Sequence, residues 1–340
     1  MSQIDRRAFL AAAGASAAVP FAACAQDGAA GWATRSPLPW AVQEIYAAVV
    51  GDQIAVAGGL RLDGPALHIE NGVAFYDPVA DAWTEGGGLP EPRHHPMLVA
   101  SNWVLMAIGG YGRTAAGDWT NMTDCWVRTG GGWSPTTPLP APQAEAVGVW
   151  LDDGVHLITG RTPAGEANGQ WRDQADTDAH RLFADGRWET ARPCPMARNS
   201  AAAAVLDGAI WVAGGRTVNG GGTGRLDRYD PAGDRWDTLA PIPPSPETGQ
   251  QVGGGLAMAA AGGRLVAFGG EWFQRGGGGG VFAETWIYDP AADRWEPGPP
   301  MRTPRHGLAA AAVDGVIYAI AGGEVVSGGR AGSAVEALRL

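Results

Sequence analysis

The hydrophobic pattern of this chain is a repeated block. Its clearest copy is Leu308 to Gly323, LAAAAVDGVIYAIAGG: an apolar run, an Asp314-Gly315 pair, a second apolar run and a Gly-Gly stop. A two-residue Asp-Gly connection between β-rich runs predicts a hairpin. The block recurs. Glycine pairs or near variants end at Gly59, Gly110, Gly160, Gly215, Gly270 and Gly323, closing the runs IAVAGG, VLMAIGG, HLITG, IWVAGG, LVAFGG and IYAIAGG. Tryptophan keeps the same spacing at Trp32, Trp83, Trp133, Trp188, Trp236 and Trp295. Three of these close the stretches AFYDPVADAW, DRYDPAGDRW and WIYDPAADRW, and proline-rich segments such as GLPEPRH and GPPMRTPRH follow.

Each part of the repeat has a physical reading. The run before the glycines is continuously apolar, so both of its faces must be covered. Glycine ends it where the backbone turns sharply or passes close to another segment. Asp-Pro sets the turn between the last two strands. Tryptophan supplies a large apolar surface between adjacent sheets. One unit cannot cover its own faces, so several must pack side by side in a ring.

The Gly-Gly, Tyr-Asp-Pro and Trp at a period near fifty resemble Kelch repeats, over nearly the whole chain beyond the N-terminus. The second unit lacks Tyr-Asp-Pro, and the third has Thr159-Gly160 for Gly-Gly. The resemblance implies an all-β fold, a six-bladed Kelch-type β-propeller over residues 31–340 with four antiparallel strands per blade. The repeats are offset: Trp32 to Leu38 reads as a last strand with none before it, and residues 308–339 supply three strands with none after them. The N-terminal strand is therefore expected to complete the C-terminal blade and remove the open sheet edge.

With strands a to d in each blade, the a–b turns are minimal (Asp207-Gly208, Gly262-Gly263, Asp314-Gly315) and the b–c loops long and irregular. Function concentrates on elaborated loops. Two sets of residues are expected to ring the channel mouth on that face. After the glycines stand Arg61, Tyr111, Arg161, Arg216, Glu271 and Glu324; at the d-to-a crossings stand Glu44, Arg93-His94, Glu145, Arg198-Asn199, Gln250 and Arg305-His306. Ligand pockets of the Kelch family similarly use arginines at these two places. Arginine offers a planar fork of donors to carboxylates, and Trp272, Trp119 and Trp171 could stack on a sugar face. The expected partner is a small sugar or an acidic peptide, held by a monomer. Arg93 and Arg305 are expected to serve the ligand rather than the fold; the alternative is a structural ring of ion pairs with Glu271 and Glu324.

Three functions fit this pattern. The first is binding of an anionic or polyhydroxylated ligand without chemistry. The second is a sugar mutarotase resembling N-acetylneuraminate epimerase, with Glu271, Arg275, Arg216 and Arg305 as the working groups. The third is an interaction scaffold at the cell envelope.

Charge and composition narrow the field. A net charge of −11 argues against nucleic acid. No metal or cofactor site is expected: Asp173, Asp176 and Asp178 lack the remainder of a calcium loop, and Gly276 to Gly280 lacks the Lys-Ser/Thr of a phosphate loop. His94-His95 is not a ligand pair on one strand face. Copper-radical oxidases of the galactose oxidase type need a Cys-Tyr cross-link and two metal-bound histidines, for which no set is present.

The N-terminus, Asp5-Arg6-Arg7-Ala8-Phe9-Leu10 before an Ala-rich run, resembles a twin-arginine export signal over residues 1–25. Cleavage before Gln26 and lipidation of Cys24 both fit, so the expected location is periplasmic, with contact to membrane only through such an anchor. Cys125 and Cys194 fall at non-equivalent points and are expected to be free and buried.

Overall fold

The computed structural model describes residues 31–340 apart from 64–65, 102, 115–118, 153 and 275–276. The signal segment, Cys24 and Arg275 lie outside the described residues.

Six four-stranded antiparallel sheets stand around one axis. Their innermost strands are Tyr46–Val50, Met97–Ala100, Val147–Leu151, Ala202–Leu206, Leu256–Ala261 and Ala309–Val313, one for each of blades one to six. Strand b is almost wholly buried in every blade, as its unbroken apolar run demands. The ring closes as its offset requires. Ala33–Arg35 pairs with Ala331–Arg339 as the outermost strand of blade six, Ala33 opposite Ala337.

The tryptophans tie neighbouring blades. The indole Nε1 groups of Trp83, Trp188, Trp236 and Trp295 donate to Ser36 O, Thr137 O, Arg192 O and Ala240 O, each about one repeat earlier. Trp32 makes the same bond across the closure, to Pro299 O at 3.1 Å, and packs edge-on against Phe268. In three blades the aspartate before Trp has a left-handed backbone (Asp81, Asp234, Asp293) and accepts from the tyrosine hydroxyl of its own blade. The same carboxylates accept the backbone N–H of Ser36, Arg192 and Ala240 in the preceding blade. One residue thus holds a turn and an interblade contact together.

Two details depart from the sequence reading. The b–c loops are not irregular in four blades. They form short ribbons, Leu60–Asp63 with Ala66–Ile69, Tyr111–Arg113 with Trp119–Asn121, Arg161–Pro163 with Gln174–Asp176, and Glu271–Phe273 with Gly279–Val281. Strands of three or four residues are too short for a period-two pattern to show. The glycine pair of blade six is also displaced by one. The motif needs two consecutive left-handed residues, and the second has φ near +100°, as at Gly59 (+100°) and Gly160 (+100°). In blade six these are Ala321 (+55°) and Gly322 (+107°), just as Thr159 takes the first place in blade three. A Cβ on Gly59 would come within 2.4 Å of Ile45 and Val42, so the second place demands glycine for space as well as for φ.

Cys125 and Cys194 are free and buried.

Candidate functional site

The glycine pairs fix the register of the channel mouth. Fifteen residues before the second left-handed residue of each pair lies another left-handed residue, at the end of each d-to-a crossing: Glu44, His95, Glu145, Ser200, Gly255 and Gly307. This turn points the residue at the axis just before strand a begins. The residue directly after each pair forms a second tier: Leu60, Tyr111, Arg161, Arg216, Glu271 and Gly323. Main-chain bridges such as His94 to Tyr111 and Asn199 to Arg216 join the tiers in five of the blades.

The polar members form one continuous network. Glu145 is its centre: it accepts from Tyr111 Oη (3.1 Å) and Ser200 Oγ (2.7 Å), and lies 3.5 Å from Arg161 Nε and 3.9 Å from Arg216 Nη2. Arg216 Nη1 pairs closely with Glu271 Oε1, and Nε donates to Asn199 Oδ1. Asn199 donates in turn to Asp176 at 2.6 Å. On the other side Glu44 Oε2 meets His95 Nε2 at 2.7 Å. His306 Nδ1 lies 3.5 Å from Glu44 and 3.6 Å from Glu271. Glycines make room for this. A Cβ on Gly307 would strike the Glu44 carboxylate, and one on Gly254 would strike Arg216.

The charges are settled by their neighbours. Burial acts to raise the Glu44 carboxyl, but His95, His306 and Arg216 outweigh it and hold it far below the usual range. Glu145 is lowered against the same burial by Arg161, His95 and Arg216. Burial works against a charge on His95, yet Glu44 raises it. Burial and then His95 push His94 well down. The two imidazoles share one hydrogen bond, Nδ1 to Nδ1 at 2.8 Å, and these opposite directions put its proton on His95. Burial and the Glu145 charge raise Tyr111, so its phenol remains a donor.

At the level of the left-handed ring the channel narrows to a space of about 20 Å³, room for about one water, lined by Glu44, His95, Ser200, Gly255 and Gly307. Below it an apolar space of about 70 Å³ is lined by Tyr46, Leu98, Val147, Ala202, Met258 and neighbours. The b–c face therefore presents a polar bowl that narrows toward the axis. Trp171 and Phe273 stand exposed on its rim, 5.8 Å over Arg161 and 6.0 Å over Arg216 by guanidinium-to-ring distance.

Of the residues singled out from sequence, Tyr111, Arg161, Asn199, Arg216, Glu271 and His306 meet here. His94 is buried beside them, stacked on Tyr111 and edge-on to Trp119. Trp272 lies on its ribbon against Gly280.

Arg93, Arg198 and Arg305 do not come to the axis. Arg198 turns into blade four and bonds Asp227 (2.9 Å) and Val212 O (3.1 Å). Arg305 does the same in blade six with Glu336 (2.7 Å) and Ala319 O (3.0 Å). Arg93 pairs with Asp124 and Glu91 and lies 4.7 Å over the Trp126 ring. A guanidinium four residues before strand a reaches the interior of its own blade, where a carboxylate on or just before strand c awaits it. Glu324 is one residue beyond the true register; it lies 4.0 Å from Arg330. Arg61 is likewise one beyond Leu60 and bonds Glu70 at 2.6 Å. Gln250 falls short of the crossing, whose axial position is Gly255.

Sequence reasoning missed His95 and Ser200. The signal that finds them is the constant fifteen-residue step back from the second glycine.

Comparison with known proteins bears on the fold. Residues 197–243 and 253–302 match the Kelch motif. Among curated proteins, Kelch-like protein terF of Aspergillus terreus is 27% identical over 300 residues, covering 84% of this chain and 62% of that protein. Kelch-like protein 34 of Homo sapiens is 28% identical, over 62% of this chain and 33% of its own length. Kelch repeat and BTB domain-containing protein 12 of Danio rerio is 27% identical, over 58% and 34%. The chain thus spans less than two thirds of the length of these curated relatives. The solved structure titled "Structure of YjhT" superposes with a TM-score of 0.75 at 16% identity, covering 89% of this chain and 96% of that one. The ring of six sheets and these matches agree: the chain is a six-bladed β-propeller, and its residues 197–243 and 253–302 match the Kelch motif.

Proposed function

We propose that the bowl on the b–c face binds a polyhydroxylated ligand, a carbohydrate, without covalent chemistry. One observation carries this reading. Around the axis, His94 Nε2 is buried without a protein hydrogen-bond partner, Arg161 Nε and His306 Nδ1 meet carboxylates only at 3.5 Å, and Trp171 and Phe273 stand exposed beside Arg161 and Arg216. Leaving a buried polar atom such as His94 Nε2 unpaired costs about 1–3 kcal/mol. A sugar hydroxyl both donates and accepts, and a sugar ring has an apolar face for an aromatic side chain. An acidic ligand suits the bowl less well, because Arg161 and Arg216 already face Glu145 and Glu271.

The mutarotase reading loses part of its set. Arg305 is committed inside blade six, bonded to Glu336 and Ala319 O, away from Glu271 and Arg216. The scaffold reading keeps one observation in its favour, the exposed Leu62, Trp171 and Phe273 of the b–c segments.

The test is a thermal-shift panel of neutral sugars, acidic sugars and short acidic peptides. Binding to the native state raises the melting temperature. Neutral sugars are expected to raise it in the wild type and not in Arg161→Gln or Arg216→Gln. A shift by acidic peptides alone would move the reading to peptide recognition, and no shift with any sugar would refute it.

We further propose that the protein is exported, on the strength of Arg6-Arg7 before the Ala-rich run. Replacing both arginines by lysine should retain the protein in the cytoplasm on fractionation; unchanged localisation would rule out the twin-arginine route.

A further inference from the structure

We infer that residues 324–330 form a strap over the bowl that must lift before a ligand enters. This rests on the bowl being a binding site. Four of the b–c segments are two-stranded ribbons, whereas this one is held over the mouth by three side chains from different blades. Gln43 Nε2, from blade one, donates to Gly328 O at 2.7 Å. His306 Nε2, from the crossing into blade six, lies 2.9 Å from both Val325 O and Ser327 O. Glu271 Oε2, from blade five, accepts Ser327 N at 2.8 Å.

These latches are the groups a ligand would use. The strap gives Glu271 a donor and His306 an acceptor, the pair of interactions that hydroxyls of a sugar supply. Glu271 and His306 are only 2% and 1% exposed, so no ligand reaches them while the strap lies down. Its main chain stands in for the hydroxyls.

The strap is also built to move. Ser327 and Arg330 have left-handed backbones, Gly328 and Gly329 sit between them, and Val325 is exposed. A segment fastened by a few polar bonds and little apolar contact opens locally at a small fraction of the global unfolding free energy.

Hydrogen exchange on the full chain tests this without a ligand. The Ser327 amide should be protected at pH 7, yet exchange far faster than amides of the buried b strands. Gln43→Ala should speed it at least tenfold with the melting temperature nearly unchanged. Gln43→Met, which keeps the side-chain volume and removes the donor, should do the same if the smaller side chain disturbs the fold. Exchange of Ser327 only with global unfolding, or exchange unaltered in both variants, would overturn the strap. Should the strap behave as stated while no sugar shifts the melting temperature, the ligand reading fails and the strap stands.

Discussion

Two sets of arginines look alike in the sequence and do different work. Arg93, Arg198 and Arg305 are at most 1% exposed and finish on carboxylates and carbonyls of their own blades. Arg161 and Arg216 face the axis, and the Arg216 side chain retains 24% exposure. The position decides the role. Four residues before strand a, the side chain enters the blade; directly after the glycine pair, it enters the bowl. Blade three makes the point by exchange: Gln143 stands where Arg198 stands in blade four, and Arg181 on strand c stands opposite, bonded to it at 3.0 Å. The cation and its partner have swapped strands, so the blade interior specifies a polar pair and not a ligand group.

The largest expected effect comes from the blade interior. Arg198→Ala leaves Asp227 buried with Arg225 as its remaining ion-pair partner, and breaking a buried pair from one side costs about 3–5 kcal/mol. Urea denaturation should show that loss; a loss below ~1 kcal/mol would put Arg198 in the ligand set after all. Arg93→Ala with Arg305→Ala should accordingly destabilise severely, against the sequence expectation that folding survives.

The axial arginines should behave otherwise. Arg216→Gln should cost about 1.5–3 kcal/mol, of the order of one hydrogen bond to a charged group, while abolishing the sugar-induced shift in melting temperature. Equal destabilisation by Arg198→Ala and Arg216→Gln would erase the distinction.

Two histidines sharpen the contrast by the sign of their pH dependence. His180 lies between strands of blade three and meets His156 at 2.8 Å. Burial, then His156, pushes its pKa down to about 4. Between about 6.5, the unfolded value, and 4 the unfolded chain takes up a proton that the folded chain refuses, so stability falls as the pH is lowered through that window. His95 at the axis is raised instead; its contribution is complete below about 6.5 and is lost as pH rises through the folded value. Melting curves from pH 4 to 8 should therefore flatten on the acid side in His180→Asn and on the alkaline side in His95→Asn. The same slopes in both variants would refute these assignments.

Much of this was legible before any coordinates. The tryptophan spacing, the turn aspartates and the offset of the two ends gave the blades, their number and their closure, because each is a local requirement repeated in every unit: a strand covered on both faces, a left-handed turn, an indole between sheets. The site was legible only in part. Tyr111, Arg161, Arg216 and Glu271 follow an unmistakable glycine marker. His95 and Ser200 follow no marker of their own, since a left-handed residue with a polar side chain carries no composition signal.

By itself, then, the sequence determined the period, the ring and which residues stand near its mouth. Only the tertiary structure decided which way each side chain turns. Adjacent residues at a crossing, such as Arg198 and Asn199, point one into the blade and the other to the axis. That choice depends on a carboxylate about thirty residues away, and a bend of one residue redirects a guanidinium from solvent into a core.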